Sequence, residues 1–152
     1  MNNQYVSDRF VEIDATFSTL DTAKDNSLDA FLGGYAIVFI CGVYEDCTEN
    51  LFAARAGKTH DPHIVSYVEK TLDKTFRNPD YGKIVGLLRC FGEDYRNTLV
   101  NAVDKTWAEA LDSIVNNKNS IAHGKASRVT LSDAKSFHLQ ARKVFDAYFT
   151  SS

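Results

Sequence analysis

Residues 116–124 read Asn116-Asn-Lys-Asn-Ser-Ile-Ala-His-Gly124. Asn116, Asn119, Ser120 and His123 stand at i, i+3, i+4 and i+7, so on a helix they make one polar stripe. Asparagine and serine are poor residues for a helix interior, because their side chains compete for backbone hydrogen bonds. Asn116, Asn117 and Asn119 therefore weaken the local helix without visible gain, which marks a candidate functional segment. Charge points to the same place. No acidic residue lies between Asp112 and Asp133, while Lys118, His123, Lys125 and Arg128 do, in a chain of net charge −3. The ligand such a stretch suits is a phosphate group, held by lysine, arginine, asparagine and serine side chains.

Helices must position this segment. Phe10, Ile13, Phe17 and Leu20 form the stripe of a first helix, with Ser7 as a plausible N-cap. After a turn at 24–27, a second helix is expected over about Leu28 to Ala56, apolar on most sides and hence central. Gly33, Gly34 and Gly42 cost that helix propensity, and close approach of a neighbouring helix, in this chain or a second subunit, is the expected compensation. Gly57–His60 reads as a loop, and Asp61-Pro62 as a helix start. Ile64, Val68 and Leu72 mark the third helix, and 76–80 is a break. A fourth helix carries Ile84, Leu87, Leu88, Phe91 and Tyr95. A fifth runs from about Val103 to His123 and is closed by Gly124. A sixth opens at Leu131-Ser-Asp133. Val129–Leu131 is the only β-like trace. The expected fold is all-α: one antiparallel bundle of about five to six helices over residues 1–152.

Composition agrees. The chain has 152 residues, 44% hydrophobic and 24% charged, which suits one globular domain that buries roughly two-thirds of its unfolded surface. Pro62 and Pro79 are its only prolines, as long helices require. The net charge excludes nucleic-acid binding by bulk attraction, so any such contact needs a local basic patch. Cys41, Cys47 and Cys90 match no zinc or redox spacing and read as reduced thiols of a cytosolic protein, the first two buried. The apolar run Phe31–Val43 is well short of the ~20 residues that span a bilayer, so no membrane partner is expected. His60 and His63 flank Asp61-Pro62 without a further ligand nearby, so neither a metal nor another cofactor is expected. His138 is expected to be solvated. Tyr35, Tyr44, Trp107 and Tyr148 are expected in the core or an interface.

The segment Ile114–Gly124 resembles the signature of the HEPN superfamily (higher eukaryotes and prokaryotes nucleotide-binding domains), an arginine followed after four to six residues by histidine. Lys118-Asn119-Ser120-Ile121-Ala122-His123-Gly124 matches its commoner form, with lysine in place of the arginine. Arginine grips a phosphate with a planar fork, whereas lysine is a point charge. Arg9-Phe-Val-Glu-Ile-Asp14 and Gly42-Val-Tyr-Glu45 are similar to the early and central helices of the branch associated with RiboL-PSP proteins, so the resemblance covers most of the chain.

The resemblance implies a metal-independent endoribonuclease of a defence or toxin–antitoxin system, working as a homodimer whose paired motifs share one cleft, with an antitoxin or effector as a further partner. Such cleavage needs a base for the ribose 2′-hydroxyl, an acid for the leaving 5′-oxygen and positive charge on the phosphate. Histidine, with an ordinary pKa of about 6.5, suits proton transfer. His123 is accordingly expected as acid and base, Lys118 on the phosphate, and Asn119 orienting the imidazole or holding a phosphate oxygen. Glu45, Ser120 and Asn116 are supporting candidates, and Lys125 and Arg128 would bind RNA phosphates. Lys118 and His123 lie about 140° apart on an ideal helix. They converge only if the helix distorts near Ala122, or if Lys118 serves the partner subunit's site. Two alternatives stand beside the nuclease: a domain without turnover that binds RNA or nucleotide, and a module that only dimerises or docks a partner.

Overall fold

Val6, Phe10, Ile13 and Phe17 bury one stripe of α1 (Asn3–Thr22) in the computed structural model, which describes residues 3–25 and 27–150. Ser7 lies inside this helix rather than at its cap, because the helix begins a turn earlier. The second helix, α2 (Asp29–Gly57), follows the expected bounds closely. The Asp61 carboxylate accepts the backbone N–H groups of His63 and Ile64 and caps α3 (Pro62–Thr75), with Pro62 in the first turn. Asp80 and Asp104 cap α4 (Tyr81–Phe91) and α6 (Lys105–Ala122) in the same way. Each such cap satisfies N–H groups that no helical carbonyl reaches, worth about 1 kcal/mol. The last helix is α7 (Leu131–Thr150).

The described residues thus form seven helices rather than five or six. The difference is Gly92. Its φ of 152° lies where residues with a Cβ are strained, and it divides the expected fourth helix into α4 and α5 (Glu93–Ala102). Tyr95 consequently belongs to a different helix from Ile84 and Leu88.

The central helix is α2, which packs against α1, α3, α6 and α7. By length and composition it could cross a membrane. However, 56% of its apolar window is buried inside the bundle, the pattern of a core helix. Phe10, Tyr44 and Phe145 meet in the core at tilted and edge-on ring angles, the arrangement aromatic quadrupoles favour.

The connection between α6 and α7, residues 123–130, is pinned to the start of α2. A Cβ on Gly33 would lie 2.0 Å from the Val129 carbonyl oxygen, and one on Gly34 would lie 2.9 Å from Ser127 Cβ. The close neighbour that these glycines admit is therefore a loop of the same chain, its backbone at Gly33 and the Ser127 side chain at Gly34, not a helix. Among the described residues nothing lies within 4 Å of a Cβ on Gly42. Asp29 accepts the Leu131 N–H at 3.1 Å, so the first residue of α2 also holds the start of α7. Thr130 and Asp133 exchange side-chain and backbone hydrogen bonds, a capping box. Val129–Leu131, the one β-like trace, is this entry into α7.

Candidate functional site

The end of α6 is a Schellman motif. Lys125 N–H donates to the Ser120 carbonyl and Gly124 N–H to that of Ile121, each at 3.0 Å, and Gly124 takes a φ of 77°. That turn needs glycine at its left-handed position. It leaves His123 as the C-cap, its N–H bonded to the Asn119 carbonyl and its side chain exposed. Lys125 and Arg128 follow, also exposed. None of these three side chains has a hydrogen-bond or ion-pair partner among the described residues. Asn116 is exposed, and Asn119 and Ser120 are half-buried. Asn117 back-bonds to the Ser113 carbonyl at 2.8 Å. No hydrogen bond joins the Asn119 side chain to the His123 ring among the described residues.

Lys118 goes elsewhere. Its ammonium donates to Asn78 Oδ1 at 2.6 Å, in the break between α3 and α4. The Asn78 N–H donates to Glu45 Oε2 at 3.0 Å, and Arg77 faces the other Glu45 oxygen at 3.5 Å. Lys83 Nζ donates to the Arg77 carbonyl at 2.7 Å. Lys118 and Glu45 are thus tied through one loop residue. Both also act on the buried Cys41 thiol. Burial pushes that thiol up to about 11, Lys118 pulls it down and Glu45 pushes it up. The helix keeps α geometry through Ala122, so no distortion turns Lys118 toward His123 of the same chain.

Sequence reasoning missed Asn78 and Arg77. One signal was present: an asparagine in a helix break, immediately before Pro79. Asparagine tolerates the left-handed region better than most residues, and Asn78 has a φ of 57°.

Beside the end of α6 lies an apolar groove of roughly 510 Å³, lined by Phe31, Tyr35 and Val38 of α2 with Ile121, Ala126 and Ser127. Phe31 is 73% exposed, Tyr35 54% and Val38 42%. With Leu28 and Gly42 they recur at alternating spacings of three and four along α2, the repeat of a helix seam that meets another helix.

A family model described as RiboL-PSP-HEPN matches residues 5–151. The chain belongs to the RiboL-PSP-HEPN family. No curated protein and no solved structure matches it.

In this HEPN domain the motif segment closes the long helix α6. The candidate site therefore has two parts: an exposed end carrying His123, Lys125 and Arg128, and an anchored Lys118 on another side of α6. Histidines elsewhere in the HEPN domain differ from expectation in one case. His138 is buried, at 1% exposure, because its position on α7 faces Phe10, Phe17 and Tyr44 rather than solvent. His60 and His63 are exposed, and no group of three or more metal-binding side chains converges among the described residues. Cys41 and Cys47 are buried and Cys90 is exposed. Tyr44 and Tyr148 lie in the core, Trp107 packs against it, and Tyr35 stacks on Phe39 at the surface.

Proposed function

We propose that this HEPN domain is a metal-independent endoribonuclease of a defence or toxin–antitoxin system in the cytosol, active as a homodimer. The observation that carries the reading is His123. It is an exposed imidazole at the motif position of the family, followed by two exposed cations, and none of the three has a partner among the described residues. One His123 takes the proton of a ribose 2′-hydroxyl, whose oxygen attacks the adjacent phosphorus. The His123 of the partner subunit gives a proton to the departing 5′-oxygen. The products are a 2′,3′-cyclic phosphate and a 5′-hydroxyl. Lys125 and Arg128 hold flanking phosphates, and a cationic side chain offsets charge developing on the attacked one. The α2 seam and the adjoining groove are the surface on which a second copy packs. That packing lies beside Ala126 and Ser127, in the loop that follows His123 and Lys125, and in the proposed dimer the two motifs share one cleft.

The test is cleavage of a single-stranded RNA in EDTA by wild type and His123→Ala. Cleavage that survives the chelator and disappears in the variant supports the reading. Equal activity in both proteins sinks it. Because the ring is exposed, the variant keeps its stability within about 0.5 kcal/mol, so loss of activity is not loss of fold.

A second reading rests on Lys118. It stands where the family has arginine and lies away from His123 of its own chain, on Asn78, which favours a domain that binds RNA without turnover. It then shows salt-sensitive binding with no product in either protein. An antitoxin or effector would be a further partner under either reading.

A further inference from the structure

Lysine is a flexible four-carbon stem ending in a point charge, and it loses rotamer freedom when fixed. A lysine that must meet a phosphate in one geometry therefore needs something outside itself to hold it. We propose that Asn78 is that positioning residue: its side chain fixes the Lys118 ammonium for contact with an RNA phosphate, and the Arg77–Asp80 loop is built to hold Asn78 there. This rests on the reading of Lys118 as a phosphate-contacting residue.

Several independent contacts converge on the arrangement. Asn78 Oδ1 accepts only one of the three ammonium protons, at 2.6 Å, and leaves two for phosphate oxygens. The Asn78 backbone is fixed from both sides, its N–H on Glu45 and its carbonyl accepting from Asp80 N–H at 2.8 Å. Arg77 is held by Glu45 and Glu49, and Lys83 bridges the Arg77 carbonyl and Asp80. Asn78 sits in the left-handed region, a conformation that persists only where the surroundings over-determine it. A loop so restrained, in which the Asn78 side chain meets a lysine of the motif, acts as a mount for that lysine. Glu45 then works at one remove, through the Asn78 N–H, rather than on the reacting groups.

Asn78→Gly tests this directly, since glycine adopts the left-handed conformation freely but offers no acceptor. Competitive acylation of the lysines, read by mass spectrometry, should show Lys118 reacting several-fold faster in Asn78→Gly than in wild type, with other lysines unchanged. Asn78→Asp keeps an acceptor and tolerates the backbone, and should restore the protection. In RNA cleavage, Asn78→Gly should lower kcat roughly tenfold to a hundredfold with little change in KM. In a Lys118→Ala background it should have no further effect, because positioning acts only through the lysine. Equal acylation of Lys118 in wild type and Asn78→Gly overturns the inference, as does an unchanged kcat in an active enzyme. A wild type that never cleaves sinks the nuclease reading instead. The inference is then decided by RNA binding: a salt slope smaller by about one in Asn78→Gly supports it, and an unchanged slope overturns it.

Discussion

Tyr44 and His138 share a hydrogen bond of 2.7 Å between the phenol and Nδ1 in the middle of the core, joining α2 to α7. Asp14 faces the other ring nitrogen at 3.8 Å, which favours the tautomer with its proton on Nε2, so that Nδ1 accepts from the phenol. Burial, reinforced by Arg142 and opposed by Asp14, lowers the His138 pKa from 6.5 to about 4. The ring is therefore neutral in the folded state, whereas the unfolded chain takes up a proton near pH 6.5. Stability from this residue is complete above about pH 6.5 and is lost as pH falls toward 4, about 3 kcal/mol in all. Urea midpoints measured across that range should fall more steeply for wild type than for His138→Gln. Parallel curves would show that His138 does not titrate as described.

Gly33 and Gly42 lie on the same helix and should respond oppositely to alanine. At Gly33 the new methyl would meet backbone that cannot move aside. Gly33→Ala should cost about 3 kcal/mol or abolish folding. At Gly42 nothing is in the way, and Gly42→Ala should stabilise the monomer by about 0.5–1 kcal/mol through helix propensity. Thermal denaturation of the two variants decides both.

Glu45 accepts the Asn78 N–H and faces Arg77. Glu45→Ala should free the 76–80 loop without unfolding the bundle. Hydrogen exchange at the Asn78 amide should accelerate strongly while amides in α2 and α7 keep their protection. Uniform acceleration would make Glu45 a general stability residue.

Phe31 has the most exposed ring on the α2 seam. Phe31→Glu should leave monomer stability within about 0.5 kcal/mol, but sedimentation should show a dimeric wild type and a monomeric variant, because like charges would meet across a two-fold seam. RNA cleavage should be lost with the dimer. A wild type that sediments as a monomer at all concentrations rejects the proposed assembly.

The all-α fold, the cap at Asp61 and the Gly124 stop were legible in the chain, because periodicity and capping are local: each is decided by residues within one or two turns. The prominence of the 116–124 segment was legible too, since its asparagines and missing acids are breaches of local rules. Gly92 was misread because one glycine inside a continuing apolar pattern breaks a helix only when tertiary packing pulls its two halves apart. His138 was misread for a related reason. A histidine on an amphipathic helix suits either face, and only the neighbours that α1 and α2 bring decide between water and core.

The site divides along the same line. Sequence by itself placed His123 at the end of a helix and made its surroundings cationic, because Gly124 and the absence of Asp and Glu are facts about adjacent residues. Where Lys118 points was a tertiary matter. Its partner Asn78 lies in another helix break, and that asparagine is held in turn by Glu45 of α2. Contacts between residues that far apart along the chain depend on how helices pack, and no local spacing encodes them.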